Sequence, residues 1–268
     1  MIETAFSQAM ADVGIIIRDP VIADGRLHRF HNKGDKAGSK NGWYVFYSDG
    51  VPAGEYGSWK TGIRQKWCAK QRHEMTPAER AENKRRMDDA RRLREAEDKA
   101  IKQAAREKAA TIWKAAPPAQ DDYPYLIKKK VKAHGIRLSK NALTIPMRDN
   151  NGMLHSLQFI DTEGNKRFLS GGRKRGCYFS IGNVTDTLCI AEGYATAASI
   201  HESTGYATAC AFDAGNLLHV AQALRQKFPS IKIIICADND ANTPGNPGLT
   251  KARKAAAIVS GFITFVEN

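Results

Sequence analysis

Over the last third of the chain, short apolar runs alternate with longer mixed runs. Compact β-branched or apolar stretches bounded by turn residues read as buried strands, and the longer periodic stretches between them read as helices. The pattern predicts strand 187–191, helix 194–203, strand 207–211, helix 216–227, strand 231–236, helix about 247–259 and strand 262–266. A repeating β-α order of this kind predicts a mostly parallel sheet with helices over both faces.

Upstream the pattern is different. Between residues 20 and 70, Asp24-Gly25, Asn41-Gly42 and Asp49-Gly50 punctuate short runs such as "GWYVFYS", which predicts a small antiparallel β unit. Thr76-Pro77-Ala78-Glu79 is a capping box with proline at the first helical position, and neither Gly nor Pro recurs until Pro117. One helix over about 76–115 follows, its surface interleaving both signs of charge as a solvated helix does. After a short basic helix around 124–133, the runs "LTIPM", "LHSLQFI", "KRFLS" and "GCYFSIG", separated by Asn-Gly or Gly-Gly, predict a second antiparallel sheet. The organisation is therefore four segments. Residues 1–70 are a small β-rich N-terminal domain, 71–120 a charged helical connector, 121–185 a basic β-rich subdomain and 186–268 the α/β domain.

Composition narrows the class. The chain has 268 residues and no run of eighteen apolar residues, and its N-terminus lacks the basic-then-apolar order of a secretory signal, so a cytoplasmic protein is expected. Five widely spaced cysteines, three inside apolar runs, read as buried free thiols. No Cys-x-x-Cys is present, and His28 with His31 has no partner at zinc-ligand spacing, so no zinc is expected. The net charge of +13 favours a polyanionic partner. Its location says more: Lys and Arg outnumber Asp and Glu by 12 to 5 over 121–185, whereas 186–268 carries 6 against 7.

Within the basic segment Lys166, Arg167, Arg173, Lys174 and Arg175 cluster on strand ends and a Gly-Gly loop, where backbone and cations can approach phosphates. The plainer alternative is a solvated loop. Trp43 and Trp59 are candidates for stacking on single-stranded bases, or else core of the small sheet.

The carboxylates sit where strands end. In "LCIAEGYATAASI", Glu192 closes an apolar strand just before a Gly turn and a helix, and ligands of open α/β sheets bind at that edge. Forty-six residues on, the strand "IKIIICAD" ends in Asp238-Asn239-Asp240, whose carboxylates at i and i+2 share a face if the segment is extended. Alone, Asp-x-Asp often caps the next helix. Together with Glu192 it can form a three-carboxylate crevice, whose mutual repulsion a hard divalent cation relieves.

Strand-Glu-Gly-helix, an intervening β-α unit and strand-Asp-x-Asp resemble the Toprim domain, the metal-binding catalytic module of bacterial-type primases, type IA and II topoisomerases and some nucleases. The resemblance covers about 186–268. The stretches "YPYLIKKKVKAHGIR", "LTIPMRDNNGMLHSLQFID" and "GNKRFLSGG" are similar to the segment preceding Toprim in primases of plasmids, conjugative elements and phages, and "HRFHNKGDKAGSKNGWYVFY" with "GSWKTG" is similar to their N-terminal region. The resemblance implies a DNA primase making short RNA primers on single-stranded DNA from ribonucleoside triphosphates. It further implies Mg²⁺ or Mn²⁺ on Glu192, Asp238 and Asp240, phosphates on the 166–175 cations, and a replicative helicase or helicase domain as a possible partner. A Toprim nuclease and a non-catalytic single-stranded-DNA binding or loading module are the alternatives. Nothing resembles the large domains that a topoisomerase needs. The zinc ligands of replicative bacterial primases are missing, and the sequence stops at Asn268 where such primases continue with further acidic residues. That implies either a fragment of a longer primase or primase-helicase, or a reduced activity.

Overall fold

A computed structural model describes residues 2–35, 37–238 and 247–266. The chain forms two compact units, residues 1–100 and 101–268.

The first unit opens with helix α1 (Ile2–Asp12), followed by strands β1 (His28–Phe30), β2 (Gly42–Tyr47), β3 (Ala53–Ser58) and β4 (Arg64–Cys68) in an antiparallel sheet of order β1-β2-β3-β4. The α1 helix was not expected from the sequence. Its signal is the pair Phe6 and Met10, four residues apart on one face and both fully buried. Phe6 stacks on Phe46 with ring centroids 4.3 Å apart and meets Tyr44, Tyr56 and Trp67 edge-on. Gly54 lets Phe6 approach, since a Cβ there would sit 2.6 Å from the phenyl ring and 2.7 Å from the Val45 carbonyl oxygen.

Helix α2 (Pro77–Ala115) begins as the capping box predicts: the Glu79 amide donates to Thr76 Oγ1 at 3.2 Å and the Thr76 amide to Glu79 Oε2 at 2.8 Å. The Lys70 ammonium, with the Thr76 amide, holds the Glu79 carboxyl down at about 2. Within the first unit the early turns of α2 cover the sheet face opposite α1. Arg86 reaches Asp49, and Arg94 lies over the Trp43 ring at 5.4 Å while donating to Glu55 at 3.4 Å. Glu55 is fully buried on β3, ion-paired with Arg64 and Arg94.

The second unit contains α3 (Pro124–Lys129), shorter than the predicted 124–133 because Lys130 turns left-handed at φ 54°. Strands β5 (Arg137–Ser139), β6 (Ala142–Arg148), β7 (Leu154–Ile160) and β8 (Lys166–Phe168) form the expected antiparallel sheet. The run "GCYFSIG" divides between two sheets: Tyr178 keeps an antiparallel bridge to Arg148 at the end of β6, and strand β9 (Phe179–Ile181) pairs antiparallel with the edge of the next sheet.

There follow β10 (Thr187–Ala191), α4 (Tyr194–Thr204), β11 (Ala207–Cys210), α5 (Leu217–Lys227), β12 (Lys232–Asp238), α6 (Pro247–Ile258) and β13 (Phe262–Val266). The sheet order is β13-β12-β10-β11-β9, with the first four strands parallel. Each predicted strand and helix of this region is present, with ends shifted by a residue or two. Helices cover both faces as expected. The small residues Ala197 and Ala198 of α4 pack with α3 and with Leu143, Ile145 and Met147 of β6 into one core. Val220, Ala221 and Leu224 of α5 join Ala252 and Ala255 of α6 in the other. All five cysteines are free, and four are buried. Among the described residues no helix is long and apolar enough to cross a membrane.

Arg94→Ala removes one of the two charged donors on buried Glu55 and leaves Arg64 as its partner. The substitution is therefore expected to destabilise the first unit by about 1.5 kcal/mol, read in urea titrations followed by tryptophan emission. An unchanged midpoint would show that Arg64 alone satisfies Glu55.

Candidate catalytic and nucleic-acid-binding site

The parallel strands of the second unit run out at one edge. At the end of β10, Glu192 precedes Gly193, the residue that caps α4, whose carbonyl accepts from the Ala197 amide at 3.0 Å. Tyr194 anchors the start of α4 by donating its hydroxyl to the Ala133 carbonyl at 2.7 Å, and burial pushes this phenol far above its ordinary range. The neighbouring strand β12 pairs Cys236 with Ala191, so the backbone of Asp238 lies one register step beyond Glu192. Asp240 falls outside the described residues, as does the Asp238 side chain. Among the described residues no three His, Cys, Asp or Glu side chains gather at metal-binding distance.

The basic candidates do not act as one patch. Alternation along β8 sends Lys166 and Phe168 to one face and Arg167 to the other. The Lys166 ammonium reaches the Glu192-Gly193 turn, 3.6 Å from where a Cβ on Gly193 would stand. Phe168 meets Phe212 edge-on at 6.4 Å, and Lys174 Nζ lies 5.2 Å from the centre of the Phe168 ring while pairing with Asp213. Lys166 reaches the end of β10 and Lys174 the segment just beyond β11. Arg167 instead lies over the Phe159 ring at 5.1 Å. Arg173 and Arg175 line a separate cleft of about 440 Å³ with Lys102, Asn150, His219 and Gln222.

Two residues of this region escaped the sequence reading. Asp213 follows β11 in "AFDAGN", accepting from the Asn216 amide at 3.0 Å with one oxygen and pairing with Lys174 through the other. Asn216, only 1 % exposed, donates to the carbonyls of Cys177 and Ala211, each at 2.9 Å, and accepts from the Gly176 amide at 2.8 Å. It staples the basic loop to the end of β11. The available signal was an Asx-type turn directly after a strand, the same kind of position that singled out Glu192 and Asp238.

Trp43 and Trp59 lie in the first unit. Trp43 is 3 % exposed and sits under Arg94, so it is core; Trp59 is half-buried, 5.5 Å from Trp43, with Arg29 at 4.8 Å over its ring. Of the two candidate indoles only Trp59 keeps accessible surface.

A Toprim domain family model matches residues 186–264, a stretch that begins just before β10 and ends within β13. Two relatives, both DNA primase TraC of Escherichia coli, are 36% identical over 278 residues, covering 98% of this chain and 26% of theirs, and 34% identical over 277 residues, covering 97% and 19%. The chain thus spans about a quarter or less of the length of these relatives. Among solved structures, the primase fragment of the bacteriophage T7 primase-helicase aligns with a TM-score of 0.42 at 15% identity over 57% of this chain and 70% of that one. A primase domain from Pseudomonas aeruginosa aligns with 0.37 at 13% identity over 50% and 46%.

In the Arg173–Arg175 cleft, burial first and the Arg175 charge second hold the His219 imidazole below its ordinary 6.5. The unfolded chain therefore takes up this proton at a higher pH than the folded one, and charging His219 opposes folding as pH falls below 6.5. An NMR titration is expected to place its midpoint below 6.5, and Arg175→Gln to move it upward. A midpoint indifferent to that substitution would remove Arg175 from the imidazole's surroundings.

Proposed function

We propose that the chain is the primase part of a DNA-replication protein of a plasmid, conjugative element or phage, a metal-dependent nucleotidyltransferase that makes short RNA primers on single-stranded DNA in the cytoplasm. One observation carries the reading: a Toprim-matching parallel sheet with Glu192 and Asp238 at the ends of adjacent strands and the Lys166 ammonium at the same turn. In this reading residues 121–185 and 186–268 form the polymerase core, 1–70 is a template reader in which Trp59 is the indole able to stack, and 71–120 connects them. A helicase, as a separate protein or as further chain, would be its partner.

The nominated donors fit a hard divalent cation, since all are carboxylate oxygens. Glu192, Asp238 and Asp240 would hold Mg²⁺ or Mn²⁺, which supplies charge neutralisation for a triphosphate. The protein's own groups do the rest. Lys166 and Lys174 neutralise nucleotide or template phosphates close to the strand ends, and Arg173 and Arg175 hold the strand's backbone at their own cleft. In this reading Glu192 also accepts the proton of an attacking 3′-hydroxyl. Asn216 keeps the loop bearing Lys174 in position.

Incubation with single-stranded templates, labelled ribonucleotides and Mg²⁺ or Mn²⁺ tests the reading: primers are expected, whereas template cutting would make the protein a nuclease and binding without turnover a loading module. Asp238→Asn with Asp240→Asn is expected to abolish primer synthesis with stability held or raised, because the change removes anionic ligands and also relieves repulsion. Wild-type synthesis by that variant would overturn the metal-site assignment.

The cations have their own signature. Lys166→Ala with Lys174→Ala is expected to flatten the salt dependence of single-stranded-DNA affinity by about 0.7 log unit of slope per lost contact. An unaltered slope would return both lysines to the solvated-loop reading.

A further inference from the structure

The first unit has an open sheet edge beside an apolar cleft. β4 is the last strand of its sheet, and among the described residues nothing pairs with its outer edge. Three consecutive residues on it, Arg64, Gln65 and Lys66, are exposed. Between β4 and the first turns of α2 lies a cleft of about 700 Å³. Lys66 and Cys68, on one face of β4, contribute one wall, and Met75 and Met87, both buried, lie at its base with Ala81 exposed beside them.

The rim is cationic in a selective way. From Arg85 to Arg94 the arginines of α2 are matched to acids: Arg85 and Arg86 to Glu82, Arg91 to Asp88, which itself lines the cleft, Arg92 to Asp89 and Arg94 to Glu55. At the cleft, Lys70 pairs with Glu79, whereas Lys66, Arg72, Arg80 and Lys84 have no carboxylate within ion-pair distance among the described residues. Arg80 and Lys84 are four residues apart and so share one face of the helix. Four exposed, unmatched cations around an apolar floor select a ligand that is both anionic and apolar.

We propose that this cleft docks an acidic, extended peptide segment, which adds to β4 as a further strand and lowers an apolar side chain onto Met75 and Met87. Charged residues on an edge strand suppress pairing between like copies, and the same cations here favour an acidic strand. The open backbone of β4 supplies main-chain hydrogen bonds, and the alternate side chains of an added strand fall into the cleft, as in other strand-addition complexes. Methionine thioethers adapt to varied apolar side chains. A nucleic acid fits less well: the floor carries no aromatic ring for a base to stack on, and a sugar-phosphate chain has no groups to match a strand's backbone ladder.

The test uses the full chain and fluorescence anisotropy with three labelled probes: a short peptide alternating Glu with Leu, the same peptide with Gln for Glu, and a thymidylate oligonucleotide. The acidic peptide is expected to bind more tightly as salt falls, at least about tenfold better than its neutral counterpart. Arg80→Glu with Lys84→Glu, both at exposed positions, should weaken it by about tenfold or more. Ala81→Trp should block the cleft with the charges intact. In ¹⁵N spectra the peptide should shift the β4 amides from Arg64 to Cys68. Binding that ignores both variants, or no binding at low salt, overturns the proposal. So does an oligonucleotide that is lost on charge reversal and is not displaced by the peptide.

Discussion

Parallel strands cannot be joined by tight turns, and every connection must cross back over the sheet before the next strand begins. In the second unit this constraint brings the carboxyl ends of β10, β11, β12 and β13 to a single edge. Glu192 and Asp238 become neighbours through the register of β10 with β12, although a complete β-α unit separates them in the chain. The helices needed for the crossovers also bury the sheet. α4 shares its core with the antiparallel sheet that carries Lys166, so the element that forms the carboxylate turn is packed in the same core as the sheet that brings a cation to it.

The basic segment shows how charge becomes placement. Five cations within ten residues read as one patch in the sequence. In the folded chain, strand alternation and one asparagine sort them into three settings: Lys166 and Lys174 near the strand ends, Arg167 on an aromatic ring and Arg173 with Arg175 in a cleft beside His219. Asn216, itself buried, spends both amide donors and its acceptor on the backbone of Cys177, Ala211 and Gly176. This fixes the loop without using a charge, and Lys174 remains on Asp213 and Phe168.

Local pattern made much of this legible. The alternation of apolar and amphipathic runs marked each strand and helix from Thr187 onward, and Thr76 with Glu79 marked the start of the long helix. What was not legible depends on contacts distant in sequence. Helix α1 is short and held by Phe6 against Phe46, a partner the sequence does not indicate. β9 carries the same alternating signal as its predecessors, and only its pairing with β11, about thirty residues on, assigns it to the other sheet. Trp43 as core rather than platform turns on Arg94 and α2 covering that face. At the site, Glu192 was readable as a strand end, whereas Asp213 and Asn216 look like ordinary turn residues until the loop at 173–177 is folded against them.

The strand order also governs when the edge can exist. β10 sits between β11 and β12, so its pairing on one side is available soon after it leaves the ribosome, while the other side waits for Lys232 and the residues after it. Domains form as synthesis delivers their parts, and pairings between distant segments are paid for in loop entropy before they are rewarded. During that interval one long side of β10 is open, and Glu192 has already been made while its nominated companions have not. The adjacency of Glu192 to the Asp238 backbone thus exists only once β12 has been made and paired with β10.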